Sequence, residues 1–140
     1  LFLRTPACEY ATNIEPPFLP DGLDTEVVSF STLEGLGQRP LDAPEREHVT
    51  LYLRRHPGEF HTRHLSGIPD LSQHRWTLDE PQDYLFLCSL FERLERRGAF
   101  GFWPEVLDIL GQEPGLISLN AGIDRNEGLA RSIRVAMARG

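Results

Sequence analysis

Apolar and polar positions alternate over 23–30, LDTEVVSF, and this β-branched stretch predicts a strand. A shorter strand-like piece at 9–13 precedes it. Between them Pro16, Pro17 and Pro20 enforce an extended loop that closes on Asp21-Gly22, a turn signal. Ser31, with Glu34 three residues on, reads as a capping box for a short helix over 32–36 that Gly35 and Gly37 stop. Asp42 as N-cap opens a helix over about 43–55, with Val49, Tyr52 and Leu53 as its buried face and Pro57-Gly58 at its end. Residues 58–74 are polar and irregular, with one strand near 60–65, and a β-rich tetrapeptide follows at 75–78. The clearest element is 81–97. Pro81 is a usual first helical residue, Tyr84, Leu87, Cys88, Phe91 and Leu94 recur at helical spacing, and Gly98 ends the run. Pro104 opens a helix over 104–111 with Val106, Leu107 and Leu110 inward. Residues 115–128 read as loop with a short strand, and a last helix at about 127–138 turns Leu129, Ile133, Ala136 and Met137 inward. Three or four short strands interleaved with four or five helices predict an α/β fold.

The chain has 140 residues, enough for one domain with a real core, and no repeat divides it. Its net charge of −7 changes the picture more than its ordinary apolar content does. The basic residues are scattered, without a stripe, so nucleic acid is a disfavoured partner. A cation, free or carried by an anionic ligand, suits the balance better. No apolar run approaches the ~20 residues needed to span a bilayer, and neither a signal peptide nor a membrane partner is expected. Cys8 and Cys88 make neither a metal motif nor a disulfide framework. Cys88 reads as a small buried hydrophobe, and a reducing cytoplasm is the expected compartment. The opening on Leu1, in mid-pattern, reads as part of a longer protein.

Three groups of residues carry candidate chemistry. Asp21, Asp24 and Glu26 fall within six residues. In a strand starting near Leu23, Asp24 and Glu26 are two apart and share a face, suited to sugar hydroxyls or a divalent ion, or simply to solvent. Arg46, Glu47 and His48 lie near a helix start, where His48 reads as a solvated or structural side chain or as a substrate-bonding one. The other histidines, His56, His61, His64 and His74, lack the fourth ligand a zinc site needs. Asp79 closes the 75–78 segment just before the longest helix. It reads as that helix's N-cap, which is the simpler reading on pattern alone, or as a ligand for magnesium, which takes one or two carboxylates plus substrate phosphates.

PDGLDTEVVSF, EREHVTLYL and WTLDEPQDY occur in that order, followed by GLISLNAGIDRNEGLARSI. Over about residues 8–134 the chain resembles the spore-coat polysaccharide biosynthesis branch of the cytidylyltransferase (CMP-sugar synthetase) family, whose relatives make CMP-activated sialic, pseudaminic and Kdo-type sugars. The resemblance implies a doubly wound nucleotide-diphospho-sugar transferase-like fold, Mg2+ as cofactor, and CTP and a sugar as substrates of the full-length protein. Asp79 matches the family's C-terminal metal-binding Asp. Asp24 and Glu26 match the strand bordering the sugar pocket, Asp21 opens the same block, and Arg46, Glu47 and His48 match a block near it. Asp83 matches a second acid with a structural role, and Gln82 replaces a common Glu.

The family's glycine- and arginine-containing phosphate loop and its first metal-binding Asp have no counterpart in this sequence. Residues 1–140 are therefore expected to form a single domain, the C-terminal portion of such an enzyme, with the N-terminal nucleotide-binding half absent and no activity alone. A homodimer through an arm at 14–22 or 58–74 is a further expectation. Two other readings stay open: a glycosyltransferase using a nucleotide sugar, for which Asp21 and Asp24 give D-x-x-D and not the usual D-x-D, and a non-catalytic sugar- or partner-binding domain.

Overall fold

Tyr10, Ala11 and Thr12 are all buried, as the middle strand of a sheet covered on both faces should be. A computed structural model of the protein describes residues 1–125 and 127–139. It places this strand, β1 (Tyr10–Thr12), between β2 (Glu26–Val28) and β3 (Thr62–His64). β1 pairs antiparallel with β2, Tyr10 opposite Val28, and parallel with β3, Tyr10 opposite Thr62. Around the sheet stand helices α1 (Phe30–Gly37), α2 (Ala43–Glu47), α3 (Leu51–Arg55) and, packed on α2, α6 (Glu127–Arg139). A core of Tyr10, Leu36 and Leu53, flanked by Val28, Tyr52 and Phe60, holds this first unit together.

The second unit comprises Pro20–Leu23 and Leu71–Arg125. It contains α4 (Pro81–Arg97), α5 (Trp103–Gln112) and a 3-10 helix, Pro114–Leu119. Its core is Phe86, Leu90 and Leu94 of α4 against Val106, Ile109 and Leu110 of α5 and Leu116 of the 3-10 turn. The architecture is α/β, with three strands and six α-helices among the described residues.

Several expected elements shift for local reasons. β2 begins at Glu26, not near Leu23, because the Asn13 side chain takes the Thr25 N–H at 2.7 Å in place of a ladder partner. Asp24 therefore lies outside the strand and does not share a strand face with Glu26. Ser29, not Ser31, caps α1, accepting from the Thr32 N–H at 3.1 Å. The helix expected over 43–55 opens on Asp42 as foreseen, with Glu45 completing a capping box. It then breaks at His48–Thr50, which sets Val49 outward at 58% exposure. Residues 75–78 form no strand: Arg75 makes a single bridge to Asp21, since its partner segment turns away at once. Residues 114–119 are 3-10 helix where a loop with a short strand was expected.

α4 has the predicted bounds, and Gly98 ends it in the left-handed region. Its inward face differs. Asp83, Phe86, Leu90 and Leu94 are buried, whereas Tyr84, Cys88 and Phe91 are exposed, so Cys88 is not a buried hydrophobe. Met137 of α6 is likewise exposed.

Gly22 fixes how the 20–23 turn meets 74–76. The Asp21 N–H donates to the His74 carbonyl at 2.9 Å and the Trp76 N–H to the Asp21 carbonyl at 2.7 Å. Gly22 has φ +102°, and a Cβ there would lie 2.6 Å from the Trp76 carbonyl oxygen. Gly22→Ala combines backbone strain with overlap against backbone, and a loss of about 2–3 kcal/mol in urea denaturation is expected. A loss below ~0.5 kcal/mol would show that the turn yields freely.

Candidate functional site

The turn before α4 is built around one carboxylate. Pro81 supplies the first helical residue and Glu80 the N-cap, which places Asp83 at the third helical position facing back over the entering chain. Asp83 is fully buried. Six donors converge on it. Arg75 Nε and Asn120 Nδ2 reach Oδ1 at 3.0 and 2.9 Å. Arg75 Nη2, Thr77 Oγ1 and the Asp79 and Glu80 amides reach Oδ2 at 2.9, 3.0, 3.1 and 3.1 Å. Burial alone would raise the Asp83 pKa. Arg75, Asn120 and the two amides outweigh it and hold the carboxyl well below the usual carboxylate range.

Arg75 is the second hub. Its side chain is 9% exposed and forks onto Asp83, while Nη1 donates to Asp21 Oδ2 at 2.9 Å. Asn120, carried in just after the 3-10 turn, also donates to the Arg75 carbonyl at 3.0 Å. Asn120→Asp would set a second carboxylate against Asp83 Oδ1. It is expected to cost about 2–3 kcal/mol, more than Asn120→Ala, in chemical denaturation at pH 7. Equal losses for the two variants would mean that water replaces the amide.

Asp79 is treated differently by the same turn. Its backbone N–H is tied to Asp83, but its side chain is 71% exposed and meets Arg75 Nη2 only at 3.5 Å. The capping role open to Asp79 in the sequence falls instead to Glu80 and Asp83. Of the three acids that Arg75 meets, Asp83 is saturated by donors and Asp21 is largely buried, and Asp79 has the most exposed carboxylate. Among the described residues no group of three or more His, Cys, Asp or Glu side chains is arranged to hold a metal ion. One open carboxylate fits magnesium held mainly by substrate phosphates, and does not fit an all-protein cage.

The remaining candidates lie in the first unit. Glu26 is half-buried, and its carboxylate accepts from the Tyr10 hydroxyl and from Thr50 Oγ1, the latter at 2.8 Å. Burial and this carboxylate together push the Tyr10 phenol above its ordinary pKa. Asp24 is exposed. Arg46 and Glu47 are exposed on α2, with Arg46 Nε donating to the Leu41 carbonyl at 3.3 Å. His48 ends α2 half-buried, and its Nε2 is shut off from solvent with no hydrogen-bond partner. Thus Asp21 and Asp79 meet through Arg75, while Glu26 and His48 flank the α2–α3 break. Sequence reasoning did not single out Arg75, Thr77 or Asn120. The spacing of Glu80 and Asp83 after the strand-like segment was the available signal that a buried acid would need a cation.

No family model matches the chain, and no curated protein matches it. Its fold is similar to part of a solved cytidylyltransferase from Leptospira borgpetersenii serovar Hardjo-bovis (strain JB197), with a TM-score of 0.72 and 22% sequence identity over 91% of this chain. The chain spans 50% of that structure's length.

Proposed function

We propose that the chain is the C-terminal portion of a sugar nucleotidyltransferase of the cytidylyltransferase type, in the spore-coat polysaccharide branch. The reaction joins CTP and an acidic sugar into a CMP-sugar. A sugar oxygen attacks the α-phosphorus, the bond to the β-phosphate oxygen breaks, and pyrophosphate leaves. The observation that carries this reading is the division of labour in WTLDEPQDY, on a fold shared with a cytidylyltransferase: Asp83 anchors and Asp79 stays open. Magnesium, held by Asp79 and the phosphates, would offset phosphate charge and align the leaving group.

The protein's own side chains bind and orient. In this reading Asp24, Arg46, Glu47 and His48 form the wall that meets the sugar. Glu26 supports that wall through Tyr10 and Thr50, and Asp21 supports Asp79 through Arg75. The triphosphate-gripping loop lies in a part of the protein outside these 140 residues. A cytoplasmic location and a homodimer belong to the same reading. No described helix is long and apolar enough to cross a membrane.

The test is the protein that carries this chain, supplied with CTP, magnesium and a panel of acidic sugars, with products followed by phosphorus NMR. Pyrophosphate and a CMP-sugar are expected. A nucleoside diphosphate product would mean glycosyl transfer instead. No turnover with any nucleotide would leave a sugar- or partner-binding domain.

A further inference from the structure

The sheet order β2-β1-β3 leaves β3 at an edge. The Glu9 N–H donates to the His61 carbonyl at 3.0 Å, and the Leu65 N–H to the Thr12 carbonyl at 2.8 Å. With Ala11 opposite Arg63, these bonds turn the backbone of residues 61, 63 and 65 toward β1. The N–H and C=O groups of Thr62 and His64 therefore point away from the sheet, in a strand whose Arg63 and His64 are exposed. An edge of this kind is a template for one more strand. It is also cationic. Among the described residues the Arg63 guanidinium meets only the Thr62 carbonyl, at 3.5 Å, so it leans over the same edge with no carboxylate to neutralise it. A cavity of about 300 Å³ adjoins the strand, with Phe60, His61 and Arg63 in its wall and no acidic side chain. A second copy of β3 does not suit this edge, because two-fold antiparallel pairing about Arg63 would set Arg63 against itself.

We propose that the open edge of β3 is a docking site for an extended acidic peptide segment of a partner protein, which adds a fourth strand to the sheet. The segment's backbone pairs with the outward N–H and C=O groups of Thr62 and His64. An acidic side chain opposite Arg63 takes its guanidinium, and that pair sets the register. The inference goes beyond the nucleotidyltransferase reading and stands whether or not Asp79 holds a metal.

The 140-residue chain, isotope-labelled, can be titrated with a blocked heptapeptide of alternating glutamate and valine and with its lysine–valine counterpart, and followed by amide hydrogen exchange. In the free chain the Thr62 and His64 amides should exchange much faster than the Arg63 amide, which β1 holds. Saturating glutamate peptide should slow the Thr62 and His64 amides by about tenfold or more, and the lysine peptide should leave them unchanged. Arg63→Glu should weaken binding of the glutamate peptide by about fivefold or more. His64→Pro removes a donor from the open edge, spares the bonds to β1, and should weaken binding by about tenfold. A slow amide at position 63 in each variant checks that β3 still pairs with β1. Equal binding of the two peptides, or binding that leaves the Thr62 and His64 amides in fast exchange, would overturn the proposal. So would slow exchange of those two amides with no peptide added, in this chain or in the protein that carries it, since the edge would then already be filled.

Discussion

Asp83→Ala is expected to lower the unfolding free energy by about 3–5 kcal/mol, because it leaves a buried guanidinium without its principal counter-charge. Small domains hold about 5–15 kcal/mol in total, so a variant that still folds should unfold at much lower urea concentration. The loss has named parts. Arg75 loses both bonds of its fork, Asn120 and Thr77 lose an acceptor, and the Asp79 and Glu80 amides lose the oxygen that fixes the start of α4. Asp21 still pairs with Arg75 at 2.9 Å, which keeps the loss finite. Replacing the pair together, as Arg75→Met with Asp83→Leu, should cost less than Asp83→Ala alone, since neither buried charge then remains. A loss under ~1.5 kcal/mol for Asp83→Ala would mean that water enters and satisfies the donors.

The acid limb of stability should carry the same signature. The Asp83 carboxyl titrates well below its unfolded range, so the folded state binds fewer protons than the unfolded one. Its contribution is present in full above the unfolded value, about pH 3.9, and is lost as pH falls from there through the depressed folded value. The wild type should therefore lose stability steeply in that window. Asp83→Ala should lose it less steeply there, with the two curves converging as the pH drops.

Punctuation was legible in the sequence where it is local. Pro81 and Gly98 mark both ends of α4, and Asp42 marks the start of α2, because each acts on the chain within a few residues of itself. The inward face of α4 was not legible. Tyr84, Leu85, Phe86, Leu87, Leu90, Phe91 and Leu94 offer two overlapping apolar stripes, and periodicity cannot choose between them. The choice is made by Asp83, whose position under Arg75 and Asn120 rotates Phe86 and Leu90 inward. The site follows the same rule. An acid just before a long helix could be read from WTLDEPQDY. What its neighbours do could not, because Arg75 finds Asp21 across 54 residues and Asn120 across 45. Glu26 is a similar case: alternation put it on a face, but the donors that occupy it, Tyr10 and Thr50, lie 16 and 24 residues away.

Asp79→Asn should separate activity from stability, in the opposite sense to Asp83→Ala. The Asp79 side chain is 71% exposed and its one ion pair is long, so the pair contributes about 1 kcal/mol at most. The Asp79 N–H that Asp83 accepts belongs to the backbone and survives the substitution. Thermal unfolding should accordingly stay within about 2 °C of the wild type. Turnover in the protein that carries this chain should fall about a hundredfold or more, since a metal's hold on the phosphates supplies several kcal/mol of transition-state stabilisation. The isosteric amide keeps the shape and one oxygen but loses the charge. Raised magnesium should then recover part of kcat/KM while leaving kcat low, whereas a folding defect would respond to neither. Turnover within about threefold of the wild type, with the fold intact, would take Asp79 out of the chemistry and leave WTLDEPQDY a purely structural turn.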